Sequence, residues 1–151
     1  MGDHVELRFP PPSVPLLFVA VGATVHLLRD LPGLPMWLRG LGVGLLLAGL
    51  GVLSWALVVM VRAGGDPEPK RPDHVLVEGG PFALGRNPIY LGLLLSQTGL
   101  GLATAWWLVT ALVPLSWAWL RFGVIAKEEA HLRARFGAPY EDYCQRVRRW
   151  F

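Results

Sequence analysis

The sequence predicts an all-α integral membrane protein with four transmembrane helices, and three observations carry that expectation. The 151 residues are 53% hydrophobic and 17% charged, against about 25% charged in soluble domains. The charges are gathered into a few segments, which leaves three long stretches without Asp, Glu, Lys or Arg. Lys and Arg are also divided very unevenly between the two sides that those stretches define. An ordinary soluble domain is excluded by this pattern, and a net charge of +3 with abundant leucine excludes a disordered chain. A single cysteine, Cys144, rules out an intramolecular disulfide framework and a multi-cysteine zinc site. The length fits one domain over 1–151.

The charge-free stretches are 9–28, 40–61 and 87–120. A bilayer core takes about 20 apolar helical residues. In the first stretch, prolines at 10, 11, 12 and 15 push the helix start to about Val14, giving a span over 14–28 with His26 at its interfacial end. The second span covers 37–61, anchored by Trp37, and its Gly40, Gly42, Gly44, Gly49 and Gly51 are expected to pack against a neighbouring helix. The third stretch would be about 51 Å long as one helix, too long for one crossing. It therefore reads as a hairpin of two spans, 88–103 and 106–124, turning near Ala103–Ala105 with Trp106 and Trp107 as anchors. Pro88 suits the first turn of its helix. Taken alone, Gly99-Leu-Gly101 reads as helix packing, with close approach of a flat ligand as the other option.

Four spans put both termini on one side. That side holds twelve Lys and Arg, and the other holds only Arg29 and Arg39. The positive-inside rule then places both termini, the loop 63–87 and the tail 126–151 in the cytoplasm. The start, MGDHVEL, has neither a secretory signal nor a myristoylation pattern. The loop is too long and too rich in Pro and Gly for a simple connection, and His74–Val77 could be a short extended stretch. In the tail, Lys127–Phe136 reads as a helix with Glu129 and Arg133 paired, stopped at Gly137. A second helix starts at Pro139 and sets Tyr140, Tyr143 and Val147 on one face. Arg146, Arg148 and Arg149 suit an anionic membrane surface. Glu128 and Glu129 gain nothing at such a surface, so they point to a ligand.

Gly80-Pro81-Phe82, followed by Arg86-Asn87-Pro88-Ile89-Tyr90-Leu91-Gly92, resembles the signature of the isoprenylcysteine carboxyl methyltransferase-like family. The run from Glu128-Glu129 through Leu132, Phe136, Gly137, Tyr140, Tyr143 and Val147 to Arg149 resembles its C-terminal signature. The two blocks cover about 76–149, and the resemblance extends to phospholipid methyltransferases. It implies an integral-membrane methyltransferase of the small bacterial type, using S-adenosylmethionine. Asn87 stands where eukaryotic members carry His, and Phe82 where they carry Tyr. The resemblance assigns catalytic roles to Arg86, Asn87, Tyr90 and Glu129. It places the cofactor against these four and against Pro88, Gly92, Gly99, Gly101 and Glu128. Phe136, Gly137, Tyr140 and Tyr143 complete the implied cofactor set.

Methyl transfer from a sulfonium is an in-line displacement that mainly needs alignment and exclusion of water. A carboxylate or thiolate acceptor needs no base. An amine acceptor would need one, with Glu129 nearest and His74 the one histidine able to reach the methyl. On the implied cofactor, Glu128 and Glu129 would meet the amino group or the sulfonium, and Arg86 the carboxylate. Tyr140 and Tyr143 would cover the adenine or face the sulfonium. The expected partners are the bilayer and a hydrophobic or lipid-like acceptor, with no nucleic acid. Two other readings are an NADPH-dependent enzyme resembling sterol reductases and a non-catalytic small membrane protein.

Overall fold

In the computed structural model, which describes residues 12–29, 31–64 and 75–150, every regular element among the described residues is helical. Helix α1 (Ser13–Arg29) begins where the prolines end, with the Leu16 amide already donating to the Pro12 carbonyl. After the break at Pro32 and Pro35, α2 (Met36–Arg62) runs for 27 residues, and α3 (Pro88–Ala103) follows a 3₁₀ turn at Gly80–Ala83. The chain reverses at Thr104–Trp106, where Ala105 has φ 63°, and continues as α4 (Trp107–Ala111) and α5 (Val113–Trp119). A π-helical turn at Leu120–Ile125 leads into α6 (Ala126–Phe136), and α7 (Ala138–Arg146) completes the set. Around 75–78 the described residues form no strand, and His74 lies outside them.

The first three spans end within a residue or so of where the charge gaps put them. The fourth is different. Trp107–Phe136 is one 30-residue helical rod, so the expected separate tail helix is its continuation. Its axis is interrupted at Leu112, because Pro114 has no N–H for the ladder. Helix α3 and the rod exchange side-chain bonds there: the Gln97 amide of α3 donates to the Val109 carbonyl at 3.2 Å, and the Thr110 hydroxyl of the rod donates to the Thr98 carbonyl of α3 at 3.2 Å.

Met36–Arg62 and Trp107–Phe136 are long and apolar enough to cross a membrane; α1 and α3 are shorter and also apolar. Only 11% of the most apolar stretch of α2 is buried in the protein. Leu47 and Phe122 are 65% and 66% exposed. Apolar helices exposed to this extent are consistent with a hydrocarbon surround.

Helices α2 and α3 pack closely along a ladder of small residues. A β-carbon at Gly49 would lie 2.5 Å from the Ser96 nitrogen, and one at Gly92 would lie 2.8 Å from the Leu53 nitrogen. Gly42 meets Leu102 and Ala103 in the same way. Gly40, Gly44 and Gly51 have nothing within 4 Å of that position, so only two of the five expected packing glycines pack.

Candidate functional site

The site is built where the loop before α3 meets the end of the chain. Gly80, with φ 60°, turns the chain into the 3₁₀ segment and buries Phe82, whose carbonyl accepts the Tyr143 hydroxyl at 2.7 Å. Pro88 occupies the first turn of α3 as expected, and the Asn87 carbonyl takes the Leu91 amide. The Asn87 side chain does not cap that helix. Its Nδ2 donates instead to the Arg149 carbonyl at 3.0 Å, while the Arg86 amide donates to the Arg148 carbonyl at 3.0 Å. From Val147 the chain is extended (φ −121°, ψ 128°), so residues 147–150 form a strap held against Arg86 and Asn87.

The π-helical turn aims the two glutamates. One extra residue in a helix rotates everything beyond it by about 100°, so Glu128 and Glu129 depend on the turn at Leu120–Ile125 for their direction. Glu128 Oε1 accepts the Tyr90 hydroxyl at 2.5 Å. Tyr90 itself is buried with Leu94, Leu120, Val124 and Ile125, and Trp150 of the strap packs on this cluster. Glu129 is 5% exposed and lies between two arginines. Arg149 grips it with both arms, Nε to Oε1 at 2.7 Å and Nη2 to Oε2 at 2.5 Å. Arg86 Nη2 lies 3.4 Å from Oε1, and Arg86 Nη1 contacts the Cys144 sulfur. Arg86 Nε is buried without a protein acceptor.

Burial by itself would raise the Glu129 pKa, but the Arg149 hydrogen bonds and the charges of Arg149, Arg86 and Arg133 outweigh it and hold it below the ordinary carboxylate value. The matching bonds push Arg149 up. Burial also raises the Tyr140 and Tyr143 phenols, so both remain protonated donors at neutral pH. A depressed carboxylate binds more protons unfolded than folded. Its stabilisation is therefore complete above about pH 4.5 and is lost as pH falls through the lower folded value. Melting of the detergent-solubilised protein is expected to hold level from pH 7 to 5 and to fall below 4.5. In Glu129→Gln the acid fall should be smaller; an unchanged fall would show that other carboxylates set it.

The structure brings Arg86, Asn87, Tyr90, Glu128 and Glu129 together at one end of the helices. Phe136 and Gly137, with φ 57°, form the corner that folds α7 back and packs on the Tyr140 and Tyr143 cluster. Tyr140 and Tyr143 are 2% and 3% exposed, so they wall the site from within and offer no open ring face for a cofactor. Three expected site glycines face neighbouring helices. Gly92 faces Gly49 and Leu53, Gly99 faces Gly42 and Leu46, and Gly101 faces Val109 and Thr110. Gly99 and Gly101 also stand roughly 16–20 Å along α3 from Pro88. Their environment is helix packing. The expected membrane-facing arginines also differ, since Arg146 bonds Glu78 at 2.6 Å and Arg149 bonds Glu129. Sequence reasoning missed the Arg149–Glu129 pair, although the arginine closes the same signature that the glutamates open. Among the described residues, no group of three His, Cys, Asp or Glu is placed to hold a metal ion.

Among the described residues, the chain is all-helical, with long apolar helices and this charged cluster at one end, as in a helical membrane protein with a polar site at one end. The chain belongs to the phospholipid methyltransferase family, whose profile matches residues 37–139. It is 35% identical over 81 residues to the cobalt-zinc-cadmium resistance protein CzcN of Cupriavidus metallidurans, covering 54% of this chain and 37% of that protein. It is 28% identical over 109 residues to the nickel-cobalt-cadmium resistance protein NccN of Alcaligenes xylosoxydans xylosoxydans, covering 72% of this chain and 46% of that protein. The chain thus spans less than half the length of either relative. No solved structure matches it.

Proposed function

We propose that this protein spans the cytoplasmic membrane four times, with both termini in the cytoplasm. There it transfers a methyl group from S-adenosylmethionine to a lipid-like or other hydrophobic acceptor at the membrane boundary. One observation carries the reading: the Arg86-Asn87-Pro88-Ile89-Tyr90 segment and the Glu128-Glu129 pair, 38 residues apart between Tyr90 and Glu128, meet at one end of the apolar helices. The donor set fits the cofactor. Arg86 Nε is a buried donor awaiting an acceptor, which suits the amino-acid carboxylate. Glu129 has one accepting position left beyond its two arginines, which suits the ammonium.

When bound, the cofactor supplies a methyl already activated on a sulfonium. The chain's own residues bind and orient, and Tyr90 and Trp150, packed with Leu94 and Leu120, close the site on its membrane side. Glu129 is a poor base, because two guanidiniums stabilise its ionised form. That favours an acceptor that arrives ionised, a carboxylate or a thiolate, over an amine that must lose a proton. Binding of tritiated S-adenosylmethionine to the purified full chain, compared with tritiated NADPH, tests the reading. Retention of the first and not the second is expected. Retention of NADPH would favour a reductase, and retention of neither would remove the enzyme reading.

A further inference from the structure

The strap at residues 147–150 lies against Arg86 and Asn87. It is anchored by two hydrogen bonds to consecutive residues, Arg86 N–H to the Arg148 carbonyl and Asn87 Nδ2 to the Arg149 carbonyl. Trp150 is packed beyond them on the Tyr90 cluster. Between these anchors Arg149 turns inward and meets Glu129 with two parallel N–H···O bonds. A fork of this kind fixes the carboxylate plane as well as its charge. Arg149 lies outside the residues that match the family profile.

We infer that Arg149 is a positioning residue: the strap presents its guanidinium so that the Glu129 carboxylate is held in one orientation for the cofactor. Asn87 acts by holding the strap. This rests on the methyltransferase reading for its purpose, and on the geometry alone for the hold on Glu129. It gives the asparagine a role that needs no acid–base chemistry, since its amide nitrogen only donates. The groups facing Glu129 are Arg149 from the strap, Arg86 from the loop, Arg133 from its own helix and Tyr140 from α7; Cys144 faces Arg86.

The test uses full-length Arg149→Gln, Arg149→Lys and Asn87→Ala in detergent. The Glu129 carboxyl is followed first, without cofactor, by isotope-edited infrared titration assigned against Glu129→Gln. In Arg149→Gln its midpoint should rise, because the hydrogen bonds and charge of Arg149 are among the causes that hold it down; a curve superimposed on wild type overturns the hold. Affinity for tritiated S-adenosylmethionine is then measured from pH 5 to 8, alongside melting temperature. Arg149→Gln should bind at least tenfold more weakly, with the acid limb moved to higher pH, and Asn87→Ala should follow in the same direction by less. Lysine keeps the charge but not the fork, so Arg149→Lys should recover only part of the affinity. Full recovery by lysine overturns the fork, as does a lowered melting temperature with unchanged affinity in Arg149→Gln. If Arg149→Gln fails to fold, the lysine variant decides by the same readouts. A wild type that binds no S-adenosylmethionine, yet shows the infrared shift, defeats the methyltransferase reading and leaves the hold on Glu129 standing.

Discussion

Glu129→Ala is expected to destabilise the protein by about 3–5 kcal/mol, the usual cost of removing one partner from a buried ion pair. The carboxylate is 5% exposed, and its loss leaves the Arg86 side chain, 11% exposed, without its opposite charge. Arg149, at 28% exposure, is left partly hydrated and softens the loss. For a chain of this size that corresponds to roughly 6–20 °C in melting temperature. Cofactor binding should be lost with it. Glu129→Gln keeps the volume and one acceptor and should fall at the low end. Glu128→Gln gives up the charge behind the Tyr90 bond, which costs about 1–3 kcal/mol. Melting and S-adenosylmethionine binding of the three variants in detergent give the order. Glu129→Ala melting with wild type would mean that solvent already screens both arginines.

The sequence alone pairs Glu129 with Arg133 on its own helix and points it to a ligand, whereas its ion pairs come from two distant segments, Arg86 and Arg149. The reason is physical. Glu129 and Arg149 are 20 residues apart, and their meeting requires α7 to fold back at Gly137 and the strap to pair with Arg86 and Asn87. No local pattern encodes that route. The helices were legible because charge gaps, Pro88 and Gly137 are local signals that fix helix ends whatever lies around them. The π-helical turn was not, since Leu120–Ile125 is an ordinary apolar run whose extra residue shows only in the hydrogen bonding. The packing face of α2 was also hidden. In a soluble helix the polar side marks the outside, but against lipid both faces are apolar. Gly42 and Gly49 then look no different from Gly40, Gly44 and Gly51, although only the first two touch α3.

That contrast gives the other large expected effect. A β-carbon at Gly99 would lie 2.2 Å from the Leu46 nitrogen, 2.6 Å from the Leu46 Cα and 2.7 Å from the Gly42 carbonyl oxygen. All three are backbone atoms of α2, so no side-chain rotation relieves the clash and the helices must separate. Overpacking a core costs about 1–3 kcal/mol when side chains can shift, and Gly99→Ala should reach or exceed the top of that range. Gly44→Ala sits on the same pair of helices with nothing within 4 Å. There alanine favours the helix by up to about 1 kcal/mol, and melting should hold or rise. Gly101→Ala should fall between them, because the Thr110 hydroxyl 2.4 Å away can rotate while the Thr110 nitrogen at 2.8 Å cannot. Melting temperatures of the three variants in one detergent test the series. Binding of S-adenosylmethionine, measured per folded molecule, then separates the two uses of Gly99. A packing glycine loses the fold first, and the surviving folded molecules bind as before. If Gly99→Ala melts with wild type and loses the cofactor, the glycine faces the ligand and the close contact with α2 is not what it serves.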